Sequence, residues 1–168
     1  MIAPAYAATM ARYNAAMNER LCDAASRLPD DMRRRDRGAF WGSIHGTLCH
    51  LLWADQTWMS RFDGWEKPTV PSAQSATLIQ DFDELRRARE TADARLIGFS
   101  DALTEDWLAG DLIWFSGAAN RELTGPRDFL LTHLFNHQTH HRGQVHALIT
   151  ACGEKTGDTD LFLVVRPA

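Results

Sequence analysis

From Ala3 to Leu28 the residues Tyr6, Met10, Tyr13, Met17, Leu21, Ala24 and Leu28 recur at steps of three and four. That spacing lays them along one stripe of an α-helix. Leu28-Pro29-Asp30-Asp31 closes it, because a residue before proline leaves the helical region. A polar, charged loop is expected from Pro29 to Phe40. The pattern resumes over Gly42 to Phe62, where Ile44, Leu48, Leu51, Leu52, Met59 and Phe62 form an apolar face and Asp63-Gly64 stops the helix. Lys67 to Ser75 reads as loop. Thr77 and Gln80 have capping-box spacing, which predicts a third helix with the stripe Leu78, Phe82, Leu85, Ala88, Ala92, Leu96 and Phe99.

Beyond Leu103 the pattern changes. Asp111-Leu-Ile-Trp-Phe-Ser116 favours a strand, Gly117 to Asn120 a turn, and Arg121 to Thr124 a short return strand. Thr124-Gly125-Pro126 then opens a fourth helix, with Thr124 as its cap, running to Cys152 before Gly153. Leu161 to Val165 is a short apolar run that suits an extended segment. The expectation is an all-α fold, a four-helix bundle with a short hairpin or extended insertion between the third and fourth helices. No repeat or internal boundary interrupts it, so one domain over 1–168 is expected.

The fourth helix carries the chemistry. Its apolar stripe begins at Phe129, Leu130 and Leu134 and resumes at Val145, Leu148 and Ile149, and histidines fill the gap between. His137 and His141 point within ~40° of each other on a helix. Buried imidazoles without partners cost free energy, and a shared metal ion satisfies several at once. The residue after His137 is Gln138, so the His-Glu-x-x-His pattern of metalloproteases is absent. A third ligand must come from another helix. His50 and His45 lie ~140° apart on the second helix and cannot both face one site; His50 is preferred as the deeper of the two. His133, His140 and His146 read as supporting or exposed residues. Gln144, one turn beyond His141, suits steadying that ligand, contacting a substrate, or simple helix packing. Asp55 and Arg142 read as outer charges or ordinary salt bridges.

Composition narrows the function classes. The formal net charge of −4 offers no basic surface for a phosphate backbone. The run Arg33-Arg34-Arg35-Asp36-Arg37 is broken and flanked by aspartates and reads as a solvated loop. Cys22, Cys49 and Cys152 give no disulfide framework, and Cys22 and Cys49 suit a core. The N-terminal residues lack a basic start and a continuous apolar stretch, so a secretory signal is not expected, and no apolar run approaches the ~20 residues of a membrane span. A cytoplasmic setting follows as the default. Trp65 and Trp107, in loops, are candidate interface anchors.

Two segments carry a likeness to known proteins: Asp36-Arg-Gly-Ala-Phe-Trp-Gly-Ser-Ile-His-Gly-Thr-Leu-Cys-His50 and Phe135-Asn-His-Gln-Thr-His-His-Arg-Gly-Gln144. With Tyr13-Asn14, Asn18-Glu-Arg-Leu21 and the Trp58 region, they make the chain resemble the DinB/YfiT superfamily over nearly its whole length. The resemblance implies a helix bundle, a metal held by His50, His137 and His141, and a homodimer. Some relatives are thiol-dependent transferases or isomerases. The implied function is a metal-dependent enzyme acting on a small molecule. Its divalent ion, zinc first and nickel next, would activate water or a low-molecular-weight thiol against an electrophile. The alternatives are a metal-dependent hydrolase and a non-catalytic metal-binding or stress-response protein that works through association. His133, His140 and Gln144 are the further residues expected near ligand or substrate.

Overall fold

Pro4 occupies the first turn of α1 (Pro4–Ser26), where its missing N–H is not needed. The computed structural model describes residues 2–117 and 119–166. The segment expected to be loop after Pro29 begins with a short helix, α2 (Asp30–Arg34). Asp30 pairs with Arg33 and Arg34, and Asp31 with Arg35, at helical spacing. The basic run is thus partly neutralised by acids one turn away.

Ser43 caps α3 (Ile44–Phe62) by accepting from Gly46 N at 3.0 Å. The third long helix, α4 (Phe82–Asp101), starts later than Thr77. Residues Ser72–Thr77 form a 3-10 turn instead, and the Thr77 hydroxyl donates to Gln74 O. Asp81 takes the capping role, accepting from Glu84 N at 2.8 Å. A carboxylate followed by Asp83 and Glu84 suits the positive end of a helix better than threonine does.

After the short helix α5 (Glu105–Ala109), strands β1 (Asp111–Ser116) and β2 (Arg121–Pro126) pair antiparallel with Trp114 opposite Leu123. Of the predicted turn at 117–120, residue 118 lies outside the described residues. Thr124 sits within β2 and caps nothing; α6 (Arg127–Thr150) follows directly from Pro126, with no side-chain cap at that end. Leu161 to Val165 is not extended: Leu161–Val164 form one helical turn, α7, docked on α1.

The four long helices make the bundle: α1 packs on α4 and α6, and α3 packs on the same two. Leu21, Leu51, Met59, Leu96, Leu134 and Ile149 are among the fully buried core residues. The ends of the predicted stripes stray outward, with Tyr6 39% and Phe129 55% exposed. Trp65, expected as an exposed anchor, is only 5% exposed; its indole N–H donates to Asp63 and Arg95 lies over its ring. Trp107 is half-buried against Phe62 and Phe99. Cys22 and Cys49 are buried and unpaired. No helix among the described residues is long and apolar enough to cross a membrane.

A buried polar chain crosses the bundle. Asn18 on α1 donates to Asp93 on α4 at 3.0 Å. Arg89 grips Asp93 at 2.9 Å and Asp55 of α3 at 2.7 Å. Gln138 of α6 donates to Asp55 and to Leu51 O. Asp55 is therefore a buried ion-pair partner inside the core, linked to all four long helices through this chain.

Candidate metal centre

On α3, the turn that buries Leu48, Leu51 and Leu52 also buries His50. On α6, His137 and His141 extend inward between Leu134 and Val145. The bundle brings the three imidazoles together. One ring nitrogen from each lies within 4.8 Å of the other two, and His50 Nε2 and His137 Nε2 are 3.2 Å apart. The ring of His141 is 4.7 Å from that of His50 and 4.5 Å from that of His137, centroid to centroid.

Two of the three rings are steadied from behind. His50 Nδ1 meets the hydroxyl of Ser75 at 2.9 Å, on the 3-10 turn that packs over α3. His141 Nδ1 meets Gln144 Oε1 at 2.8 Å, while Gln144 Nε2 faces His140 Nε2 at 3.3 Å. The amide of Gln144 can donate only through Nε2, so its oxygen accepts from His141 Nδ1–H and leaves the His141 Nε2 lone pair free. An Nδ1–H of His50 donating to Ser75 would likewise free its Nε2. Such partners orient metal-binding histidines and fix their tautomers.

Trp41 stacks on His50 at 3.9 Å between ring centroids and 22° between planes. The loop that carries it turns through Gly38 and Gly42, at φ of 72° and 73°. It presses on the first turn of α3, where a Cβ on Gly46 would come within 2.6 Å of Trp41 O. Glycine at position 46 is what lets the indole lie over the site.

Burial keeps the cluster neutral. It pushes His50 down to about 3, helped by repulsion from His137 and His141. His137 falls to about 4 for the same reason, burial first and then its neighbours His141, His133 and His140. His141 is lowered by burial, against the opposing effect of the hydrogen bond it donates to Gln144. Neutral imidazoles present lone pairs, which is the state a metal requires. Four-coordinate zinc with bonds of ~2.0–2.1 Å places neighbouring ligand atoms roughly 3.3 Å apart. The 3.2 Å between His50 and His137 is close to that edge, and a nitrogen of His141 lies within 4.8 Å of both ligands, so the set could hold one divalent ion.

The remaining histidines lie apart from this cluster or at its margin. His45 turns away and meets Ile79 O at 2.8 Å. His146 pairs with the Thr156 hydroxyl at 2.7 Å. His133 packs on Trp58, with its ring 5.9 Å from that of His137, and His140 lies exposed with its ring 4.8 Å from that of His141. Arg142 is buried, with its guanidinium 5.4 Å from the centre of the Tyr13 ring and one nitrogen 3.3 Å from Thr139 Oγ1. A groove of about 340 Å³ between α1 and α4 contains none of the three clustered histidines.

No pattern in the sequence marks Trp41, Ser75 or Gln138 for a role at the site. Ser75 reaches His50 across 25 residues, a separation at which no periodicity operates. The polarity of Gln138 on an inward helix face was the one available signal, since an unpaired buried amide is costly. No curated protein matches the chain. The model of the DinB family matches it over residues 1–168. A match over its full length, joined to a bundle that gathers three neutral histidines, makes this chain a member of the DinB family.

Proposed function

We propose that this protein is a metalloenzyme that holds one divalent ion through His50, His137 and His141. In this reading the ion's open position activates water or a low-molecular-weight thiol for transfer to an electrophilic small molecule. The observation that carries the reading is the 3.2 Å approach of His50 Nε2 and His137 Nε2 within a trio of neutral rings. Without an ion, one of those two nitrogens must carry hydrogen and donate to the other. With an ion, both offer lone pairs.

Three neutral ligands leave the charge of a divalent ion undiminished, and such an ion lowers the pKa of a bound water or thiol toward neutrality. The chain's own residues do the rest. Ser75 and Gln144 hold the His50 and His141 rings by their Nδ1 atoms. Trp41 covers one face of His50 and excludes water from it. His133 and His140 flank the trio on α6 and are the side chains a bound substrate would meet. Imidazole suits zinc and nickel alike, and zinc is the expected ion with nickel next.

The test is metal content of untagged protein beside the alanine variants of His50, His137 and His141. One ion per chain in the wild type, lost in every variant, supports the site and directs the next screen to thiols and electrophiles. A wild type that takes up no zinc or nickel on reloading overturns the proposal.

A further inference from the structure

The ligands of the proposed site sit on two helices, α3 and α6, and the residues that follow two of them are in direct contact. Leu51 follows His50, and Gln138 follows His137. Gln138 is 0% exposed, and its Nε2 donates to Leu51 O at 3.2 Å and to the Asp55 carboxylate. Leu51 and Asp55 stand one turn apart on α3, so the amide straddles a turn of that helix just below His50. Asp55 is itself pinned to α4 by Arg89 at 2.7 Å. The tie therefore ends on a braced group.

Burying an amide costs free energy that an apolar side chain of similar size would not. Side-chain packing tolerates small slides between helices, whereas a hydrogen bond fixes distance and direction. From this geometry we infer that Gln138 is a positioning residue, which sets the α3–α6 separation at the height of the ligands and holds His50 Nε2 and His137 Nε2 3.2 Å apart. The inference rests on the three-histidine reading of the site. It assigns Gln138 a role through the ligands, with no contact to the ion.

The test is titration of the metal-free full chain with Co²⁺, following the visible spectrum, alongside far-UV circular dichroism and Tm. Gln138→Met removes the tie. Gln138→Asn keeps the amide but shortens it by one methylene, and stands in if the methionine variant does not fold. Asn18→Leu is the control: it removes an amide donor from the same buried chain at the α1 end, away from the α3–α6 seam. Either Gln138 variant is expected to bind Co²⁺ about 10-fold more weakly, the low end of the cost of losing a group hydrogen-bonded to a ligand, because Gln138 acts on the ligands only through the helix spacing. Its cobalt spectrum should also be altered. Asn18→Leu is expected to lower Tm yet keep wild-type affinity and spectrum. Equal losses of affinity in the Gln138 variants and the control would mark the amide as merely structural and overturn the inference, as would unchanged binding without the tie. Failure of the wild type to bind Co²⁺ would remove the metal reading and this inference together.

Discussion

His50 Nε2 and His137 Nε2 face each other at 3.2 Å across the seam of α3 and α6, though 87 residues separate them in sequence. Two uncharged imidazole nitrogens at that distance need something between them, a proton or a metal ion. In the metal-free protein the neutral N–H of one ring fills that gap, because burial disfavours a second, charging proton on either ring and draws the His50 and His137 values down to about 3 and about 4. A cationic metal with bond-forming capacity is a different partner, because it accepts the same lone pairs without requiring either ring to ionise.

His137→Ala is expected to lose the ion while the bundle survives. The substitution leaves the buried apolar residues of α6, such as Leu131, Leu134, Phe135, Val145 and Ile149, in place, so the metal-free variant should keep a cooperative thermal transition. Zinc at a thousandfold excess over its Kd stabilises a native state by about 4 kcal/mol. Wild-type Tm should therefore climb with added zinc, and the variant's should not. A zinc-dependent Tm rise of wild-type size in the variant would remove His137 from the ligand set.

The pH dependence of the metal-free protein follows from the same burial. An unfolded histidine titrates near 6.5, whereas His50, His137, His141, His45 and His133 all titrate lower when folded. Below about pH 6.5 the unfolded chain binds more protons than the native one, so stability falls as pH falls. The loss continues down to the folded values, about 4 for His137 and about 3 for His50. Thermal melts in a chelator between about pH 7 and pH 4 should show a falling Tm, with a shallower fall in His50→Asn. Parallel curves for the two proteins would show that His50 is not held neutral by the fold.

Much of this architecture was legible because it is periodic. Stripes at steps of three and four mark α1, α3, α4 and α6, and i, i+4 spacing alone placed His137 and His141 on one face. The choice of His50 over His45 rested on depth within the helix, and the structure turns His45 toward Ile79 O instead. What was not legible depends on relations across long stretches of chain. Ser75 behind His50, Gln138 against Leu51 and Asp55, and Trp65 beneath Arg95 leave no local pattern. Local rules also competed: Asp81 and Thr77 both carry capping chemistry, and the carboxylate prevailed.

Gly46→Ala tests the loop that carries Trp41. The added Cβ would meet Trp41 O at 2.6 Å, and a backbone atom cannot swing aside as a flexible side chain can. The loop must move, taking the indole off His50. Overpacking of this kind costs about 1–3 kcal/mol. Tm and zinc affinity should fall together, whereas Gly98→Ala, with open space around its Cβ, should lower neither. Wild-type zinc affinity in a destabilised Gly46→Ala protein would show that the Trp41 stack contributes nothing to the site.

Arg89→Met probes the brace beneath the site. Arg89 is buried and touches Asp55 at 2.7 Å and Asp93 at 2.9 Å, so its removal strands two buried carboxylates at once. Breaking one side of a buried pair costs about 3–5 kcal/mol, because the orphaned charge keeps its desolvation penalty. Replacing Arg89 and both carboxylates by apolar groups removes that charge penalty and leaves the smaller cost of the Asn18 amide, which loses its acceptor on Asp93. The triple change Arg89→Met, Asp55→Leu, Asp93→Leu should therefore recover much of the stability lost in Arg89→Met alone, as read from urea unfolding midpoints. It also takes away one of the two acceptors of Gln138, leaving only Leu51 O. Stability should thus return without full zinc affinity, which separates the energetic role of the ion pairs from their part in aligning α3 with α6. A triple variant that recovers both would show that packing alone sets the spacing of the two helices.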